Sequence, residues 1–207
     1  MNARSPIPGL EALLVPAVTT LVLGPLPTNP RPVPLIRVSP DAFPHPGLRA
    51  LPHRLPFRAA AFRQAILFPP RSPRPGRNDY DEALPPSELA RAPASDPHPL
   101  DLAAYPPGPT YWRLAAYLAD EVRRVLAAGK GSSHGRLVLV VKDFIDQGVP
   151  VPMVATWYDL FLARRFAVEG HWREMTPASW ERRRAALPWA HHPTVDHWNL
   201  LMLRKLA

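Results

Sequence analysis

Apolar residues recur at helical spacing in two stretches of the C-terminal half of the chain. The first runs from Thr110 to the helix breaker Gly129, and the second begins after a Val-Pro-rich turn near residue 150. The first face holds Tyr111, Leu114, Ala115, Leu118, Val122, Val125 and Leu126, and the second holds Val154, Trp157, Tyr158, Phe161 and Leu162. Intervals of three and four residues keep side chains on one face, so both stretches predict amphipathic helices.

Two further helices are predicted toward the C-terminus. Thr176 and Pro177 suit the cap and first position of a helix over 177–187, which would bury Trp180 and Leu187 and expose an arginine triplet. The triplet is Arg182, Arg183 and Arg184. Thr194 or Asp196 can cap a last helix that carries Trp198, Leu201 and Met202.

Short apolar runs predict a few strands. The run Leu137–Val141 reads as a buried strand, although a single helix over 136–147 fits its periodicity as well. Leu21–Leu23, Val33–Val38 and Ala65–Phe68 are short enough to form edge strands.

Proline and tryptophan divide the chain unequally. Of 30 prolines, 25 precede residue 110, whereas all six tryptophans follow it. Proline removes backbone donors and blocks helix interiors, so the N-terminal part should be extended. We therefore predict a mainly α fold, with α+β as the alternative if short strands form. Its parts are a basic arm over 1–78, an acidic Pro-rich linker over 79–109 and a helical core over 110–207.

The charge of the chain points to an anionic partner. The net charge is +8, and 22 of the 25 basic residues are arginine. Arginine binds phosphates bidentately and stacks on bases, so DNA or RNA is the predicted partner. GC-rich codon usage is the other explanation of the arginine excess. Protein partners or a homo-oligomer, contacted through the N-terminal arm, are a further expectation.

The segment LARRFAVEG–HWREM–TPASWERRRAAL, about 26 residues long, is similar in layout to helix-turn-helix segments, although its inter-helix connection is longer. The resemblance implies that the second helix enters the major groove. Ser179, Glu181, Arg182 and Arg183 would then face base edges, Arg184 would lie beside them, and Arg164, Arg165 and Arg173 would contact phosphates. An ordinary helical hairpin with a solvated arginine face remains the alternative.

Candidate catalytic groups are few. The loop GKGSSHG over 129–135 lacks the order and spacing of a phosphate-binding loop, and the chain has no cysteine. Asp143 and Asp146 invite a nuclease interpretation without a third ligand. A metal site would need His171, His191, His192 and His197 to meet. We therefore predict no catalytic residue, no cofactor and no metal.

The function predicted from these features is nucleic-acid binding by a protein that is not an enzyme. The alternatives are a structural subunit of a larger complex, such as a ribonucleoprotein, defence complex or virion, and a metal-dependent nuclease. No apolar run reaches the roughly 18 residues that span a bilayer. The stretch Ala12–Gly24 is interrupted by Pro16 and lacks a cleavage site. The predicted location is the cytoplasm, with no membrane contact.

Overall fold

The computed structural model describes residues 8–15, 18–23, 35–39, 48–49, 54–69, 102, 105, 107–129, 134–146, 149–175 and 197–207. Its helices are α1 (Pro8–Leu13), α2 (Pro109–Val125) and α3 (Met153–Leu162). Its strands are β1 (Thr20–Leu23), β2 (Leu35–Ser39), β3 (Leu48–Arg49), β4 (Gln64–Leu67), β5 (Arg136–Val141), β6 (Phe144–Asp146), β7 (Val149–Val151), β8 (Phe166–Met175) and β9 (His197–Lys205).

Seven of the strands form one mixed sheet in the order β3-β2-β1-β4-β5-β9-β8. The first five are parallel to one another. Strand β9 is antiparallel to both of its neighbours, so β8 runs in the same direction as β5. Strands β6 and β7 form a separate antiparallel pair. All parallel strands therefore end at one edge of the sheet, here called the carboxyl edge, and the opposite edge is the amino edge.

The two faces of the sheet are buried against different helices. Alternate residues of a strand point to opposite faces. One face packs with α2 and α3, and its strand residues are Leu21, Leu23, Ala65, Leu67, Leu137, Leu139, Val141, Leu201 and Leu203. The other face packs with Leu10 and Leu14 of the α1 region, and its strand residues are Val22, Ile66, Phe68, Val138, Val140, Trp198 and Leu200. Helices on both faces of a largely parallel sheet define a doubly wound α/β architecture.

Helix α2 is fastened to the segment that leads into β4. The guanidinium of Arg124 donates to the carbonyl of Phe57 from Nη1 at 2.7 Å and to that of Leu55 from Nη2 at 3.0 Å. It also pairs with Glu121, whose Oε2 accepts the backbone N–H of Leu55 at 2.8 Å. The hydrogen bond and charge of Glu121 raise the pKa of the Arg124 side chain despite partial burial. These hydrogen bonds of Arg124 and Glu121 to Leu55 and Phe57, here called the Arg124 clamp, fix the position of the segment that enters β4.

The prediction of a mainly α fold is wrong, because the described residues form a mixed sheet with helices on its two faces. The predicted edge strands near residues 21, 35 and 65 are β1, β2 and β4, which lie inside the sheet. The alternative helix over 136–147 is replaced by β5 and β6, and the last predicted helix is strand β9. A strand buried on both faces shows a continuous apolar run, which periodicity cannot separate from a buried helix.

The two predicted amphipathic helices are confirmed as α2 and α3, although Leu162 of the second predicted stripe is exposed. The predicted helix over 177–187 lies outside the described residues. The boundary at 78/79 lies there as well, and the proposed division at 78 and 109 stays a prediction. The N-terminal strands and β5 nevertheless belong to the same sheet.

Candidate active site

The sheet has one topological switch point, between β1 and β4. After β1 the chain continues to β2 on one side, whereas after β4 it continues to β5 on the other side. Connections that leave in opposite directions open a crevice at the carboxyl edge, and ligands of open α/β sheets bind in that crevice. The carboxyl edge is therefore the candidate active site.

The ends of β1 and β4 form the floor of the crevice. Phe68, the residue after β4, donates its backbone N–H to the carbonyl of Leu23 at 2.8 Å, which extends the pairing of the two strands. Phe68 and Pro69 are buried. The ring of Phe68 meets that of Trp198 from β9 edge to face, with 6.2 Å between centroids. This aromatic pair lies on the α1 face of the sheet and packs beneath the ends of the strands at the carboxyl edge.

The residues that follow β5 combine a buried cation with a helix cap. Lys142 is only 1% exposed, and such burial of a lysine requires partners for its ammonium group. Asp143 accepts the backbone N–H of Val154 on Oδ1 at 2.7 Å, which caps the first turn of α3. Asp143 therefore orients α3 beside the crevice.

Strands β8 and β9 bring two polar side chains together on the α3 face. Nε2 of His171 lies 2.9 Å from Oδ1 of Asn199, and Nδ2 of Asn199 donates to the carbonyl of His197 at 3.2 Å. Asn199 is fully buried, whereas His171 is exposed. Asn199 is paired with Val141, the last residue of β5, so this arrangement lies at the level of the carboxyl edge.

Charge concentrates at the amino edge, away from the crevice. Glu169 stands at an irregularity of β8 between Val168 and Gly170. Its carboxylate contacts His134 at 3.0 Å, Arg136 at 3.1 Å and Arg204 at 3.4 Å. A bulge re-aims a side chain, and here it directs one carboxylate toward three basic groups. The network holds β5, β8 and β9 together.

Lys205 lies at the same edge and donates from Nζ to the carbonyl of Leu126 at 2.7 Å. Burial and the charge of Arg123 lower the pKa of this lysine.

Three of the seven residues predicted to bind nucleic acid lie in the described part of the chain. Arg164 forms a two-point pair with Asp120, at 2.9 and 3.3 Å, that ties α3 to α2. Arg165 has a left-handed backbone (φ 61°) in the turn before β8, and Arg173 is exposed on the outer strand β8. Ser179, Arg182, Arg183 and Arg184 lie outside the described residues, as do Glu181, His191 and His192. Whether the seven predicted residues bind a ligand stays a prediction.

The described part of the chain lacks two features. No group of three or more histidine, aspartate or glutamate side chains in it is arranged to hold a metal ion. No helix in that part is long and apolar enough to cross a membrane.

Known proteins are similar to this chain in structure. No protein-family model and no curated protein matches the sequence. The 1,6-didemethyltoxoflavin-N1-methyltransferase of Burkholderia thailandensis, solved with 1,6-didemethyltoxoflavin and S-adenosylhomocysteine, superposes with a TM-score of 0.53 at 12% identity. That match covers 99% of this chain and 80% of the other.

Two weaker similarities accompany it. A SAM-dependent methyltransferase from Methanosarcina mazei gives a TM-score of 0.48 at 11% identity, over 96% of this chain and 97% of that one. A protein from Thermus thermophilus, proposed to be a DNA modification methylase, gives 0.35 at 22% identity over 47% of this chain. This chain spans 37% of the length of that protein.

The class defined by topology and switch point is a Rossmann-like α/β fold, the fold of the Burkholderia enzyme. This finding contradicts the functional predictions, because the Burkholderia protein that shares this fold is a methyltransferase. A nucleic-acid-binding protein, an interaction subunit, a metal-dependent nuclease and a protein without enzymatic activity are therefore the wrong classes. The helix-turn-helix resemblance also fails, because residues 166–175 form β8 where the motif needs a turn between helices.

Proposed function

We propose that the protein is a methyltransferase that binds S-adenosylmethionine in the crevice at the carboxyl edge. The observation that carries the proposal is the switch point between β1 and β4, in a sheet whose first five strands, β3-β2-β1-β4-β5, have the order and the parallel direction of a Rossmann-like fold. The Burkholderia enzyme of that fold was solved with the demethylated form of this cofactor.

The connection after β1 selects the class of nucleotide. Dinucleotides place their pyrophosphate on a glycine-rich turn and the N-terminus of a helix. The 11 residues between β1 and β2 contain one glycine, Gly24, and five prolines, which have no N–H to donate. That sequence suits a nucleoside cofactor without a phosphate, and S-adenosylmethionine is one.

An acidic residue follows β2 closely in the sequence. Asp41 follows the last residue of β2, Ser39, by two positions and follows Gly24 by 17. In Rossmann-like sites an acidic residue about 20 positions after the glycine turn accepts the ribose hydroxyl groups. We assign this role to Asp41. The residues present therefore fit the cofactor.

The cofactor supplies an electrophilic methyl group on a sulfonium. The chain itself supplies binding and exclusion of water. Phe68 and Pro69 are buried apolar residues at the base of the crevice and help to exclude water from it. Asp143 holds α3 beside the crevice through its hydrogen bond to Val154. The net charge of +8 favours an anionic methyl acceptor, and nucleic acid enters the proposal only as one such class. We place the enzyme in the cytoplasm, where such a cofactor is available.

Calorimetric titration with S-adenosylhomocysteine tests the proposal. Asp41→Asn should weaken binding about 10- to 100-fold, because hydrogen bonds to a charged acceptor contribute about 1.5–3 kcal/mol. The matched control is Asp159→Asn, an exposed aspartate on α3, which should bind like wild type. If the wild type does not bind S-adenosylhomocysteine at millimolar concentration, the proposed function is refuted. If Asp41→Asn and Asp159→Asn bind it with equal affinity, the role of Asp41 is refuted.

A further inference from the structure

An aromatic cluster lies where α2 and α3 begin. The ring of Trp112 meets those of Tyr111 and Trp157 edge to face, with centroids 4.8 and 6.0 Å away. The indole N–H of Trp157 donates to the hydroxyl of Tyr111 at 3.3 Å, and both residues are 0% exposed. Trp112 is only partly buried. Two buried rings therefore fix the orientation of a third ring that is left partly exposed.

The start of α2 lies level with the carboxyl end of β4. Phe62, two residues before β4, donates its backbone N–H to the carbonyl of Val125, the last residue of α2, at 3.0 Å. From this shared point, six residues of extended chain reach Phe68 and thirteen helical residues reach Trp112. The rise per residue makes each path about 20 Å long. Trp112 therefore lies level with Phe68 and is separated from it by about 10 Å, the width of a helix.

The contact with α3 places the cluster at the same level. Trp157 lies three residues beyond Val154, whose backbone N–H donates to Asp143, the second residue after β5. Three helical residues rise only about 4.5 Å. The cluster thus lies above the ends of β4 and β5, on the face of the sheet that α2 and α3 cover.

The binding site proposed for the cofactor assigns this side of the crevice to the methyl acceptor. Asp41 follows β2, so a ribose bound by it lies on the β2 side of the switch point, and the acceptor must approach from the opposite side, over β4 and β5. The partly buried side chains on that side are apolar or aromatic, namely Tyr105, Trp112, Val151, Val154 and Tyr158. The ion pairs of Glu169 lie at the amino edge.

We propose that Trp112 is a specificity-determining residue and that the methyl acceptor is a planar aromatic molecule of one or two fused rings. The inference rests on the proposed function and deepens it. An aromatic ring that stacks on an indole or meets its edge binds about 2- to 10-fold more tightly than its buried area alone provides. A saturated ring lacks this gain. A negative charge at the rim of the acceptor is compatible with stacking and is favoured by the net charge of +8.

Calorimetric titration with 2-naphthoate and decahydro-2-naphthoate tests the role of the ring separately from that of the charge, because each probe carries one carboxylate. With S-adenosylhomocysteine at saturation, the full chain should bind 2-naphthoate about 5- to 10-fold more tightly. Trp112→Leu should abolish this preference, and Trp112→Phe should retain most of it. Both variants should keep the affinity for S-adenosylhomocysteine, which also shows that they are folded. The matched control is Tyr117→Leu, which removes an aromatic residue of α2 that is 51% exposed and should leave the preference unchanged.

The two proposals fail in different ways. If the wild type does not bind S-adenosylhomocysteine, the proposed function is wrong. If it binds S-adenosylhomocysteine but binds neither probe, or binds both equally, the aromatic class of acceptor is wrong. If Trp112→Leu or Tyr117→Leu changes the preference in the same way as the other, the role of Trp112 is wrong.

Discussion

Replacement of Arg124 by alanine gives a sharp test of how the chain is led into the central sheet. The guanidinium makes two hydrogen bonds to main-chain carbonyls, of Leu55 and Phe57, and two to Glu121. A hydrogen bond from a charged donor contributes about 1.5–3 kcal/mol when buried. The Arg124 side chain is 36% exposed, so water replaces part of that contribution. We expect Arg124→Ala to lower the free energy of unfolding by about 2–3 kcal/mol.

Urea denaturation measures this loss, and with an m-value of about 2–3 kcal/mol/M the midpoint should fall by about 1 M. Arg123→Ala is the matched control: it lies in the same last turn of α2 and changes helix propensity and charge equally. It should shift stability by about 0.5 kcal/mol or less. If both variants lose the same free energy of unfolding, the effect comes from the helix end or from net charge. The hydrogen bonds of Arg124 to Leu55 and Phe57 then do not stabilise the fold as argued.

Three other changes probe separate parts of the fold. Asp143→Ala removes the cap from the N–H of Val154 and should cost about 1 kcal/mol of unfolding free energy by urea denaturation, whereas an Asp159→Ala control should not. Gly170→Ala places a Cβ where the indole of Trp172 lies, so the ring must move. The tryptophan emission should shift to the red, and an unchanged spectrum would contradict that packing. Lys205→Met tests alkaline behaviour: the pKa of Lys205 is lowered in the folded protein, so the unfolded chain binds its proton more firmly. The free energy of unfolding of the wild type should therefore gain a contribution as pH rises from the pKa of Lys205 in the folded protein toward 10.5. Thermal melts of Lys205→Met at the same pH values should lack this gain. If melting temperature depends on pH in the same way in both proteins, the burial argument is wrong.

The residues of the candidate active site were not predicted as such from the sequence. Asp41 was visible only as one of two acids in a basic, proline-rich segment. A combination could have revealed it: an apolar run ending in Gly24, a second apolar run, and then an acid. The prolines between the runs argued against that combination, because βαβ units normally place a helix there. His171 was considered only as a metal ligand, since nothing along the chain indicates that Asn199 lies beside it.

What the sequence determined by itself is local. The stripes of α2 and α3 follow from side chains at helical spacing, and the prolines before residue 110 exclude long helices there. Strand pairing was decided only in three dimensions. Strands β1, β4, β5 and β9 are buried on both faces and share no periodic signal, so their order and direction depend on contacts between residues far apart in the chain. The same long-range pairing brings the ends of β1, β4 and β5 and the start of β9 to one edge, and the candidate active site exists only there.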